Sequence, residues 1–179
     1  MIKHGIYFLT EARRDQYKKA IYVMTTGVTK ISEIPSVLPN NLPYLYELPK
    51  TPLDYVSLPF FTYWLVGFTI SEGSFFIKSN NDASFQLKQR VHITLFEAFK
   101  LLFNTTRKIN IENDIYAQFA VSSKKDIQTV INLFSNGIAG NMLMGVKLDQ
   151  YNRWFNNLKN SKRYSDLNYP NVITSYKTK

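Results

Sequence analysis

Glu72 is the acid that ends an otherwise uncharged stretch. From Phe60 the chain runs through apolar, aromatic and small residues without a charge until Glu72, and Gly73 then breaks the run. A helix over about 60–72 would put this carboxylate at its C-terminal end, where the helix dipole is negative and disfavours an anion. A carboxylate held there needs a compensating cation, and a metal ion would supply it. Gly67 and Ser71, four residues apart, share a face of the same helix. Two small residues at that spacing admit another helix to backbone contact.

The elements that must hold Glu72 follow from periodicity. Thr10 is placed to cap a helix from Glu11 to about Thr25, with Tyr17, Ala20, Ile21 and Met24 as its apolar stripe. Prolines recur from Pro35 to Pro59, the signature of an extended linker, and the domain boundary is set near residue 58. After the apolar helix, strands are expected over about 73–79, 83–92, 107–112 and 115–122. Helices are expected over Leu95–Phe103, Lys124–Phe134 and Leu148–Leu158. The strands alternate. Phe75, Ile77, Phe85, Leu87, Ile109, Ile111, Ala117, Phe119 and Val121 fall on an inner face. The outer face takes Ser74, Phe76, Lys78 and Asn80 from the first strand and its turn, and Ser84, Gln86, Lys88 and Arg90 from the second. Lys108 and Asn110 come from the third, and Tyr116 and Gln118 from the fourth. The fold class is α+β: an antiparallel four-stranded sheet with helices on one face. Residues 1–58 form an N-terminal helix and Pro-rich linker, residues 59–165 the domain, and residues 166–179 a polar tail, expected to fray from Lys162 on.

Charge says what the outer face could meet. The 179 residues carry 22 Lys+Arg against 13 Asp+Glu, a formal +9. Residues 61–179 hold 15 of those bases and 8 of the acids, so most of the excess lies with the sheet. A polyanion is the natural partner, because phosphates release counterions when Lys and Arg bind them. Long donors and amides can also read base edges. With no cysteine, disulfides, thiolate zinc sites and Cys nucleophiles are excluded. Two histidines, His4 and His92, are too few for a His-rich metal site. No apolar run is long enough for a membrane span, and no signal peptide or transit helix is evident at the N-terminus. The abundance of Asn, Ile, Lys, Phe and Tyr fits an AT-rich coding genome.

Leu65-Val66-Gly67-Phe68-Thr69-Ile70-Ser71-Glu72-Gly73 resembles the signature of the LAGLIDADG homing endonucleases and intron maturases, and Ser74-Phe75 fits the Gly-Ser-Phe ending common among them. The resemblance covers about residues 60–160. It implies an αββαββα unit used twice, with two signature helices packed together and two sheets forming a saddle for double-stranded DNA. It makes Glu72 the catalytic metal-binding carboxylate, with Gly73 beside it, and Mg²⁺ or Mn²⁺ the cofactor. It places Leu65, Gly67, Phe68 and Ser71 at the interface of a homodimer reading a pseudo-palindromic duplex, because this chain shows one signature. Phe85-Gln86-Leu87-Lys88-Gln89 resembles a Phe-Gln-x-x-Gln string of single-motif members. It implies that Gln89 orients water and Gln86 touches bases. Leu143 to Lys147 resembles the segment entering a late helix, with Lys147 at the active centre. Val66 and Ile70 depart from the usual Ala and acid, while Glu72 is retained. The resemblance leaves two alternatives. One is a maturase that binds group I intron RNA without cutting DNA, and the other is the C-terminal half of a larger two-motif protein. It also implies a mitochondrial protein, translated in the organelle.

Overall fold

The computed structural model describes residues 5–135 and 142–170. The chain divides into two compact units, Met1–Thr51 and Pro52–Lys179. In the first, helix α1 (Glu11–Thr26) ends at Gly27, whose φ of 72° gives a left-handed cap bonded back to Val23. The proline-bearing segment lies along α1. Arg14 donates to the Tyr46 carbonyl (2.9 Å) and pairs with Glu47, Lys18 donates to Asn40, and Tyr7 and Tyr17 pack on Tyr46. This cover lies over Arg14, Tyr17, Lys18 and Ile21. The buried side of α1 therefore differs from the expected stripe: Ala20 and Met24 are exposed.

The second unit opens with a short helix, α2 (Pro52–Val56), within the stretch read as linker. Pro52 suits a first helical position, where a missing N–H costs nothing, and Tyr55 is fully buried. Then follow α3 (Phe61–Glu72), β1 (Gly73–Ile77), β2 (Ala83–Arg90), α4 (Ile93–Leu102), β3 (Asn110–Glu112), β4 (Tyr116–Val121), α5 (Lys124–Ser135) and α6 (Gly145–Lys159). The sheet is antiparallel in the order β1-β2-β4-β3. Its turns are set by short polar residues that tolerate positive φ: Asn81 (62°) after β1, Asn113 (51°) and Asp114 (55°) after β3.

The core is aromatic. Phe75 packs on Phe85 (5.0 Å between centroids), Tyr151 (5.1 Å) and Trp154 (5.4 Å), while Phe103 meets Phe85 and Phe119 (5.6 and 5.3 Å). Burying each such ring contributes about 2–3 kcal/mol. Phe75, Phe85, Leu87, Ala117, Phe119 and Val121 are buried under the helices as the alternation predicts. The edge strand departs from it. β3 is only Asn110–Glu112 and wholly exposed, with Ile111 38% accessible, so Lys108 precedes the strand. Among the described residues no helix packs broadly on this edge, which leaves Ile111 exposed. The tail also differs from the frayed expectation, as far as residue 170. Tyr164 is fully buried, its hydroxyl accepting from Ala83 N–H (3.2 Å) and donating to the Ser122 carbonyl (3.0 Å). Gln128 bonds Asn168, and Phe155 meets Tyr169 edge-on. Residues 171–179 of the expected polar tail lie outside the described residues.

Candidate active site

α3 carries Glu72 in its last turn, and Gly73 starts β1 with no loop between. The Gly73 N–H donates to the Thr69 carbonyl. A Cβ at Gly73 would lie 2.6 Å from both Thr69 Cγ2 and Thr69 O. The junction therefore needs glycine for close approach; its φ of −89° would suit any residue. This tight passage fixes the Glu72 side chain beside the first residue of the sheet.

α6 brings a cation to the same place. Lys147, in its first turn, donates from Nζ to the Gly73 carbonyl (2.5 Å) and to Gln150 Oε1 (3.0 Å). Gln150 Nε2 in turn reaches Ser74 Oγ at 3.5 Å. Burial penalises the charged amine and lowers the Lys147 pKa from its ordinary value. The Glu72 carboxylate, half-buried, makes no hydrogen bond or ion pair with any described residue. The structure thus brings Lys147 onto the carbonyl of Gly73, the residue that follows Glu72, and adds Gln150, which is absent from the expected set. Gln150 lies one turn beyond Lys147 on the same face of α6, a relation hidden by a helix expected to start only at Leu148.

The Gln89 side chain makes no hydrogen bond with Glu72, Gly73, Lys147 or Gln150. It lies on the inner face of β2, two residues beyond Leu87, the partner of Gly73. Its Oε1 accepts from the Arg90 backbone N–H (2.8 Å).

The donor set suits a hard divalent cation. A carboxylate and a backbone carbonyl are oxygen ligands of the kind Mg²⁺ takes, the remainder coming from water and phosphate. Among the described residues no three His, Cys, Asp or Glu side chains gather into a metal cluster. Any further carboxylate would have to come from elsewhere.

The outer face of the sheet is a polar grid. Register sets Asn110, Gln118 and Lys88 in one row, Glu112, Tyr116 and Arg90 in the next, and Gln86 beside Ser74. Lys88 pairs with Glu112, which neutralises the acid of this face, and lies over the Tyr116 ring. Arg107, absent from the expected set, donates to Ser122 (3.3 Å). Phe76 is half-buried on this face, and Lys108 is exposed. Ser84 departs from the expectation: it is fully buried, with no partner for its hydroxyl among the described residues, and it offers nothing to a ligand. Lys78 and Asn80 lie in the β1–β2 turn, where Asn80 bonds Asp82.

The four helix residues expected at an interface separate. Leu65 and Phe68 are buried in this chain's own core, since α3 must also cover the sheet. Gly67 and Ser71 face outward with Tyr63, which is 47% accessible. A Cβ at Gly67 would meet nothing within 4 Å.

A protein-family model described as LAGLIDADG endonuclease matches residues 65–158, more than half of the chain. Among solved structures, the meganuclease I-SmaMI bound to uncleaveable DNA is 18% identical with a TM-score of 0.54, the match covering 82% of this chain and 57% of that one. The I-LtrWI LAGLIDADG homing endonuclease bound to target DNA is 22% identical with a TM-score of 0.50, covering 81% and 49%. At these identities the likeness is one of fold, and the chain spans about half the length of either protein.

Proposed function

The chain belongs to the LAGLIDADG endonuclease family, and from that premise we propose that it is a site-specific endonuclease that cuts both strands of duplex DNA with a divalent ion, Mg²⁺ or Mn²⁺. The observation that carries this reading is the bond from the Lys147 ammonium to the carbonyl of Gly73, the residue that follows Glu72, whose carboxylate has no partner among the described residues. A divalent ion bound there would supply an activated water and charge stabilisation at phosphorus. Glu72 and the Gly73 carbonyl would hold it. Lys147 would donate to a phosphate oxygen as negative charge builds, its ammonium strengthened by partial burial. Gln89, by the resemblance, would orient the attacking water. Lys88, Arg90, Gln86, Gln118 and Asn110 would dock the duplex on the outer face through phosphates and base edges.

One chain supplies one such carboxylate, so two cuts need a second centre. It comes from a second copy packed against Tyr63, Gly67 and Ser71, or from a second motif on a longer polypeptide. The span of about half its structural relatives favours a two-centre assembly of either kind. An intron-borne, mitochondrial setting goes with this reading.

The test is incubation with the duplex into which the reading frame's own intron inserts, with Mg²⁺ and with a chelator. Cuts in both strands only with Mg²⁺ are expected. Intact binding to the intron transcript with no cutting would replace the nuclease by the maturase.

A further inference from the structure

β1 is the terminal strand of the sheet, so one edge of its backbone pairs with no other strand among the described residues. Along that edge runs α6, which presents Gln150, Arg153 and Asn157 at intervals of three and four residues, one helix face. Between that face and Phe75–Ile77 lies an open cleft of about 300 Å³. It meets, at Ile77 and Asn157, a second recess of about 720 Å³ that reaches Asn80, Lys162 and Arg163. The two make one trough. From Lys147 to Lys159 α6 rises about 18 Å, the length of about five phosphates on one DNA strand.

The lining is donor-rich and basic. The acid of this lining, Asp82, is already paired with Arg163. Arg153 and Lys162 are exposed and make no ion pair with any described residue. Trp154 forms part of the floor, and its indole N–H has no acceptor among the described residues. Arg, Lys and side-chain amides bind phosphate oxygens without reading sequence. The trough is continuous with the candidate DNA surface at both ends: Gln150 touches Ser74 and Lys147, and Asn80 sits in the turn bordering the outer face.

We propose that this trough is a sequence-independent track for the phosphate backbone of the same duplex, with Arg153 and Lys162 as its charged contacts. The inference rests on the DNA-cutting reading above and extends the footprint beyond the sheet face. It is tested by measuring binding of target and scrambled duplexes across a salt series, for the wild type, Arg153→Ala/Lys162→Ala and Arg153→Lys. Losing two phosphate contacts should reduce the slope of log K against log salt by about 2 and weaken both duplexes by the same factor. Arg153→Lys should keep the wild-type slope. An unchanged slope in the double variant overturns the track while leaving the nuclease intact, and so does a loss confined to the target duplex. A wild type that binds neither duplex overturns the parent reading and the track with it.

Discussion

Lys147 holds a charge that its surroundings resist. Burial lowers its pKa, while the Gly73 carbonyl and the Gln150 amide oxygen accept hydrogen bonds from it. With the folded pKa below the unfolded one, the unfolded chain binds more protons between the two values. The cost of this burial to stability is therefore full below the folded pKa and relieved as pH rises through it. The same shift moves loss of the ammonium to lower pH than for a solvated lysine. The alkaline limb of the cleavage rate should accordingly begin below the ordinary lysine range, and Lys147→Arg should move it upward. Lys147→Met should slow single-turnover cleavage about 10²–10³-fold with DNA affinity nearly unchanged. A profile identical in Lys147→Arg and wild type would remove Lys147 from the chemistry. Of this centre, Glu72 and Lys147 were legible in sequence, because one ends an uncharged run and the other sits in a matching string. Gln150 was not: expecting the helix from Leu148 left Lys147 outside it, and the turn that joins the two went unseen.

At the scale of elements, α3 has three duties: covering the sheet, delivering Glu72 and leaving one face open. The glycine within it and the glycine that follows it divide along those lines. Gly73→Ala would push a methyl within 2.6 Å of the Thr69 backbone. Overpacking of that kind costs about 1–3 kcal/mol, so the urea midpoint should fall, and the displaced Glu72 should lower the cleavage rate of the folded fraction. Gly67→Ala meets open space in this chain and replaces a helix glycine, so the isolated chain should gain about 0.5–1 kcal/mol. If a second copy packs there, sedimentation should show association weakened about tenfold, equivalent to about 1.4 kcal/mol. Equal association with higher stability would show that the face is not an interface. The alternation that predicted β1, β2 and β4 worked because helices bury their inner faces. It failed at β3, where Ile111 takes an inner position in the alternation and stays exposed.

For the whole molecule, the end of the domain is held by a clamp that composition concealed. Residues 162–170 are read as polar tail that frays, yet Tyr164 joins the start of β2 to the end of β4 through one hydroxyl. Tyr164→Phe would strand a backbone N–H and a carbonyl in the interior, a loss of about 1–3 kcal/mol, visible as a lower urea midpoint with an unchanged slope. An unaltered midpoint would show that the clamp holds nothing. α2 was hidden for the converse reason: prolines in the flanking stretch outweighed the single buried anchor, Tyr55. The sheet's architecture and the basic excess of its half of the chain were both readable, since they rest on periodicity and charge. Which positions reach a ligand was less so, because Ser84 alternates outward and is nonetheless buried.

The measurement that bears most directly on the account compares wild type with Glu72→Gln on one target duplex, reading single-turnover cleavage in Mg²⁺ and equilibrium binding together. Glu72 has no partner among the described residues to lose, so the amide should leave the fold and the DNA affinity within about twofold, a difference of about 0.4 kcal/mol. Cleavage of both strands should fall below detection. Cutting by Glu72→Gln at the wild-type rate would contradict the assignment of the centre, and loss of binding along with cutting would show that Glu72 supports the docking surface.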